Sequence, residues 1–137
     1  MHILRISLTL PLMLLMSLSS TALAQTQAES ERKSCEGYKR VDDELNRAYQ
    51  LVLSKYSADA LFIEKLKGAQ RAWLAFRDAH VESRFPARDP QRAYGSVFGM
   101  CRCEELVELT RQRTDQLLDW MRGREEGDVC AGSIQIR

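Results

Sequence analysis

Residues 38–56 read YKRVDDELNRAYQLVLSKY, and their larger apolar side chains recur every three or four positions. This period places one apolar stripe along a helix, because an α-helix completes a turn every 3.6 residues. The stripe consists of Tyr38, Val41, Leu45, Tyr49, Val52 and Tyr56. We therefore predict an amphipathic helix from about Glu29 to Tyr56.

The same spacing recurs in two later segments, from about Ala58 to Ser83 and from about Cys103 to Met121, and it predicts two further helices. Ser57 is a candidate N-cap for the second helix. On that helix, Trp73 and Phe76 are predicted core residues, and His80 is expected to be half-buried and hydrogen-bonded. In the third, Glu104 and Glu105 are predicted to stand at the start, where carboxylates complement the helix dipole.

The segment between the second and third predicted helices has no apolar period. Pro and Gly residues at 86, 90, 95 and 99 interrupt it, which indicates a long loop with room for one short helical turn. No segment alternates apolar and polar residues over the length of a strand. We predict an all-α fold: a small antiparallel three-helix domain, supported by disulfides, with a long loop between helices 2 and 3.

The first 24 residues have the three parts of a secretory signal. A basic start with Arg5 precedes an apolar run from Ile6 to Leu18, and small residues end in Ala22-Leu23-Ala24. We predict cleavage after Ala24, a periplasmic or secreted location, and no membrane span after cleavage. Residues 25–137 then form one domain.

The charge of the predicted mature chain is balanced. The sequence has 20 basic and 19 acidic residues, and removal of Arg5 leaves 19 of each. A nucleic-acid-binding protein needs an excess of Lys and Arg to contact phosphates, so this class is excluded. The sequence does not predict an oligomeric state.

Four cysteines, an even count in an exported chain, predict two disulfides. In the three-helix topology Cys35 can meet Cys101 or Cys103. Whichever of Cys101 and Cys103 is left could bond Cys130 if the tail folds back along the third helix. Cys101 and Cys103 have the wrong spacing for a zinc knuckle, and no serine or cysteine stands with a histidine and an acid in a catalytic arrangement. We therefore predict no metal, no cofactor and no enzymatic activity.

Three ordered motifs run through the predicted helices: D-x-x-L-N-x-x-Y at 42–49, L-x-x-A-Q-R-A-W-L-x-F-R-D at 66–78, and T-x-x-R-x-x-x-L at 110–117. Together they resemble the LprI-type lysozyme inhibitor family, also called DUF1311, from about Cys35 to Leu118. The resemblance implies an exported, all-helical, cysteine-bridged domain, with lysozyme as a partner and inhibition as the namesake's activity. The cysteines that members commonly carry after the R-D pair and one turn before T-x-x-R are absent here, so the usual bridge does not carry over.

Polar residues of these motifs stand beside the apolar stripes, and buried polar groups need partners. We expect an interhelical hydrogen-bond cluster in which Arg77 pairs with an acid such as Asp42, and Asn46 or Gln70 bonds a backbone group or Thr110. The alternative is a ligand or partner surface. The cluster consists of Asp42, Asn46, Gln70, Arg77, Asp78, Thr110 and Arg113.

Residues 84–100 form the best candidate partner surface, because loops carry recognition and Arg and Tyr are favoured contact residues. The candidates are Arg84, Arg88, Arg92, Tyr94 and Phe98. Lysozymes are usually cationic with acidic clefts, so this basic loop could enter the cleft. Alternatively, acidic stretches at Glu104, Glu105, Glu108, Asp115 and Asp119 could face the cationic rim.

The leading hypothesis is occlusion of lysozyme by a periplasmic protein. The alternative is an envelope structural or stress-related interaction domain with another protein or cell-wall partner.

Overall fold

The computed structural model describes the backbone of residues 12–137 and the side chains of residues 26–137. The predicted signal peptide, residues 1–24, lies outside the residues with described side chains. Four α-helices form the described chain: α1 (Leu12–Lys55), α2 (Ala60–Arg84), α3 (Pro90–Tyr94) and α4 (Phe98–Arg122). A 3₁₀ turn, Gly95–Val97, joins α3 to α4. Within the described residues no helix has both the length and the apolar character needed to cross a membrane.

The three long helices run up, down and up, as predicted. A disulfide between Cys35 and Cys103 joins α1 to the first two turns of α4. Near the other end of the same two helices, Lys55 Nζ donates a hydrogen bond to the Trp120 carbonyl at 2.9 Å. Helix α2 runs antiparallel to both. Phe62 near the start of α2 packs against Trp120 near the end of α4, and Val81 near the end of α2 packs against Leu106 in the first half of α4. The all-α, disulfide-supported fold is confirmed.

The core occupies the seam where the three helices meet, and it contains the apolar stripes that the sequence predicts. Its larger cluster lies toward the α2 start, and a smaller one of Val81, Leu106 and Leu109 lies toward the α2 end. Burying such side chains stabilises the fold by about 1.5–3 kcal/mol each. The larger cluster comprises Leu45, Ala48, Val52, Tyr56, Phe62, Leu66 and Leu117.

Three predicted helix starts are wrong. Helix α1 is already helical at Leu12, the first residue whose backbone is described, whereas the prediction began it near Glu29. Helix α2 is capped by Asp59 and not by Ser57, because the Asp59 carboxylate accepts a hydrogen bond from the Phe62 amide at 2.9 Å. Helix α4 begins at Phe98, since the glycine at position 99 is tolerated inside the helix. Glu104 and Glu105 consequently lie beyond its first turn and do not complement the dipole there.

Phe76 is not a core residue, although Trp73 packs against the larger core cluster as predicted. The Phe76 side chain is 55% exposed. Its neighbour Arg77 takes the inward direction, and one residue along a helix corresponds to a rotation of about 100°. His80 is half-buried and hydrogen-bonded, as predicted, with its Nε2 3.2 Å from Glu105 Oε1.

Only one of the two predicted disulfides forms in the described chain: Cys101 and Cys130 are both free. The tail after α4 does fold back, but it packs at the far end of the bundle, where the Gln135 amide donates to the Tyr56 hydroxyl at 3.0 Å. Trp120 lies beside that tail, and the 19 residues of helix between Cys101 and Trp120 span about 28 Å. A second bridge is therefore out of reach, because the tail returns to the wrong end of α4.

Candidate functional site

The chain between α2 and α4, residues 85–97, is an ordered projection that we call the α2–α4 loop. The Asp89 carboxylate caps α3 by accepting a hydrogen bond from the Arg92 amide at 3.1 Å, and Pro90 occupies the first helical position, which suits its fixed φ angle. The ring of Phe85 lies 5.5 Å from that of Tyr94 and 5.3 Å from that of Phe98, both in edge-on geometry. These contacts hold the loop in shape.

Arg88 and Arg92 present free cations on this loop. Both are exposed, and neither guanidinium has an ion pair or hydrogen bond with any described residue. Arg84 differs, because its Nε lies 3.2 Å from Glu105 Oε2. Of the three predicted loop arginines, two are therefore available to a partner and one is engaged within the protein.

The acids in the first half of α4 divide into two kinds. Glu105 is only 16% exposed and contacts both His80 and Arg84, each at 3.2 Å. Glu104 and Glu108 are exposed and have no cationic partner among the described residues. A partner could reach the latter two, but Glu105 is already neutralised.

The acids at the end of α4 are neutralised as well. Asp119 lies 2.6 Å from Arg122 and 3.5 Å from Arg124, and Asp115 lies 3.7 Å from Arg122. This stretch therefore offers a cationic partner little unpaired negative charge. Each of the two surfaces that the sequence leaves open thus keeps two unpaired charges: Arg88 and Arg92 on the α2–α4 loop, and Glu104 and Glu108 on α4.

Arg77 is the centre of the motif cluster, and its contacts join α2 to α1. Its Nη1 lies 3.6 Å from Asp42 on α1, as predicted, and its Nη2 lies 2.8 Å from Asp78. The guanidinium also lies 5.9 Å from the Tyr38 ring and 5.4 Å from the Trp73 ring, at cation–π distance. Burial raises the pKa of the Tyr38 phenol, and the charge of Arg77 opposes that rise. This role of Tyr38 was not predicted, because in the sequence the residue stands out only as a member of an apolar stripe.

The rest of the cluster pairs differently from the prediction. Gln70 accepts a hydrogen bond from Arg113 Nε at 3.0 Å, and Asn46 donates to Asp42 at 3.3 Å, so neither bonds Thr110 or a backbone group. Burial lowers the pKa of the Arg113 guanidinium. The Thr110 hydroxyl is completely buried and has no hydrogen-bond partner among the described residues. The Gln70–Arg113 bond links α2 to α4, whereas the Asn46–Asp42 bond lies within α1. Within the described chain, no group of His, Cys, Asp or Glu could hold a metal ion.

Comparisons with known proteins agree with this arrangement of motifs on a helical framework. Residues 19–117 match the family described as "Lysozyme inhibitor LprI". An uncharacterized protein of Rhizobium meliloti (strain 1021) is 38% identical over 100 residues, which cover 64% of this chain and 68% of the relative. No solved structure matches significantly. The chain belongs to the LprI lysozyme inhibitor family.

Proposed function

We propose that this protein is an exported inhibitor that binds lysozyme and blocks its cleft with the α2–α4 loop. The observation that carries the proposal is the pair of unpaired guanidinium groups, Arg88 and Arg92, on a loop held by a helix cap and an aromatic cluster. Family membership supplies the partner class. The mechanism is occlusion, and it requires no chemistry from the inhibitor.

The chemistry of the target fits these two cations. Glycoside hydrolases commonly cleave with a pair of carboxyl groups in a cleft, and a guanidinium binds a carboxylate through two parallel hydrogen bonds. A loop that is already ordered loses less conformational entropy on binding than a flexible one. Arg88 and Arg92 are therefore suited to reach catalytic carboxylates and to exclude the sugar chain.

Export follows from the leader pattern at residues 1–24 and agrees with the Cys35–Cys103 disulfide. Disulfides persist in the periplasm and outside the cell, where lysozyme is encountered, and they are rare in the cytosol. In this proposal the mature protein begins at Gln25, and residues 25–137 constitute the inhibitor.

The test is lysis of lysozyme-sensitive cells in the presence of the wild-type protein and of R88E/R92E. We expect charge reversal to weaken inhibition by about 100-fold, because repulsion replaces attraction at two positions. The matched control is R71E/R111E, which reverses two exposed arginines on the helices that also lack ion pairs. The control should inhibit as wild type does.

Equal inhibition by the wild-type protein and R88E/R92E would remove the α2–α4 loop from the interface. If the wild-type protein protects cells against none of several lysozyme types, inhibition itself is wrong, and the alternative of an envelope interaction domain with another partner takes its place. Protection should also decline with salt, because much of the attraction is between charged groups.

A further inference from the structure

A groove of about 440 Å³ lies between α2 and α4, on the inner side of the α2–α4 loop. Its size falls in the range of small-molecule sites. Apolar side chains from both helices and from the loop line part of its surface, among them Val81, Phe85, Phe98 and Leu106. The groove therefore offers a ligand apolar contact area as well as polar groups.

Four charged residues line the groove, and they divide into a closed pair and an open pair. Arg77 and Asp78 bond each other at 2.8 Å, so their charges are matched. Glu82 on α2 and Arg102 on α4 also line the groove, but neither makes an ion pair with any described residue. Two opposite charges thus face one cavity without reaching each other.

We propose that this groove binds a short peptide with free termini. The peptide carboxylate pairs with Arg102, the peptide ammonium pairs with Glu82, and an apolar side chain packs against the lining residues Val81, Phe85 and Leu106. The site goes beyond the inhibition of lysozyme, since the ligand is a small zwitterion and its binding requires no lysozyme.

Other ligand classes fit the charges less well. A phosphate or another simple anion would satisfy Arg102 but would meet the carboxylate of Glu82. A simple cation would meet Arg102. A neutral sugar would pair with neither charge. A ligand with both charges avoids each of these penalties.

The test uses isothermal titration of the full-length or mature protein with leucyl-leucine, in the absence of lysozyme. Two capped probes, N-acetyl-leucyl-leucine and leucyl-leucine amide, each remove one terminal charge. We expect saturable binding of the free dipeptide and a loss of about tenfold in affinity for each capped form, because each cap removes one charge-assisted contact.

Two substitutions assign the termini to their partners. R102Q should weaken binding of leucyl-leucine about tenfold but leave binding of leucyl-leucine amide unchanged, because the amide has no carboxylate to pair with Arg102. E82Q should also weaken binding of leucyl-leucine about tenfold but leave binding of N-acetyl-leucyl-leucine unchanged, because that probe has no ammonium group. The matched controls, R111Q and E126Q, change exposed charges that do not line the groove and should bind as wild type does.

Absence of saturable binding by the wild-type protein would overturn the proposal, and so would equal binding of the free and capped dipeptides. Since the capped probes are used on the wild-type protein, this result does not depend on whether a variant folds. Because lysozyme is absent throughout, the dipeptide site and the inhibitory function fail or succeed independently.

Discussion

Removal of the Cys35–Cys103 disulfide should be the most damaging covalent change to this domain. The two residues are 68 positions apart, so the bridge closes a long loop in the unfolded chain. Loop-closure entropy for this separation corresponds to about 4 kcal/mol of stability. For an ordered region of about 110 residues, that loss lowers the melting temperature by roughly 15–20 °C.

The measurement is thermal unfolding of C35S/C103S, followed by far-ultraviolet circular dichroism and compared with the wild-type protein. C101S and C130S are matched controls, because both residues are free thiols, and each should melt close to wild type. Thiol titration of the denatured wild-type protein should find two reactive groups. A small shift for C35S/C103S, or a large one for both C101S and C130S, would refute the single-bridge arrangement.

Further substitutions at Thr110, Trp73 and Phe76 compare buried with exposed positions. Thr110→Val removes a buried hydroxyl without a partner and should raise the free energy of unfolding by about 1 kcal/mol. Thr110→Ser keeps the hydroxyl, loses a methyl group and should lower it; destabilisation by Thr110→Val in chemical denaturation would reveal a hydrogen bond of that hydroxyl. Trp73→Ala should cost about 3 kcal/mol by the same assay, whereas Phe76→Ala should stay within about 0.5 kcal/mol, and equal costs would contradict their different burial.

The helices were predictable because the apolar period is itself the physical cause of the packing. Leu45 and Val52 share one face of α1, and the structure buries both almost completely. The pairing of Arg77 with Asp42 was predictable for the same reason: both residues stand beside the apolar stripes, and a nearly buried cation requires an anion.

Other features depend on how the helices are rotated about their axes and where the tail packs, and local sequence patterns do not predict either. The choice of Cys103 over Cys101 depends on which side of α4 faces α1, and the isolation of Cys130 depends on where the tail packs. The start of α4 was missed since glycine was interpreted as the end of a loop. Glu82 and Arg102 were not identified because their only distinctive property is the absence of a partner in the folded chain.

These pairings separate residues that hold the helices together from residues that are available to a partner. The motif residues Gln70, Arg77 and Arg113 are bonded to other helices, so matching the motifs identifies the scaffold. The unpaired loop cations, Arg88 and Arg92, lie outside all three motifs. A family member that keeps the motifs but lacks basic residues in this loop should therefore fold in the same way and bind a different partner. Exchanging residues 86–97 between two such proteins should transfer partner choice while leaving the melting temperature nearly unchanged. This exchange keeps Phe85, which packs against the smaller core cluster, and replaces no residue of the larger one.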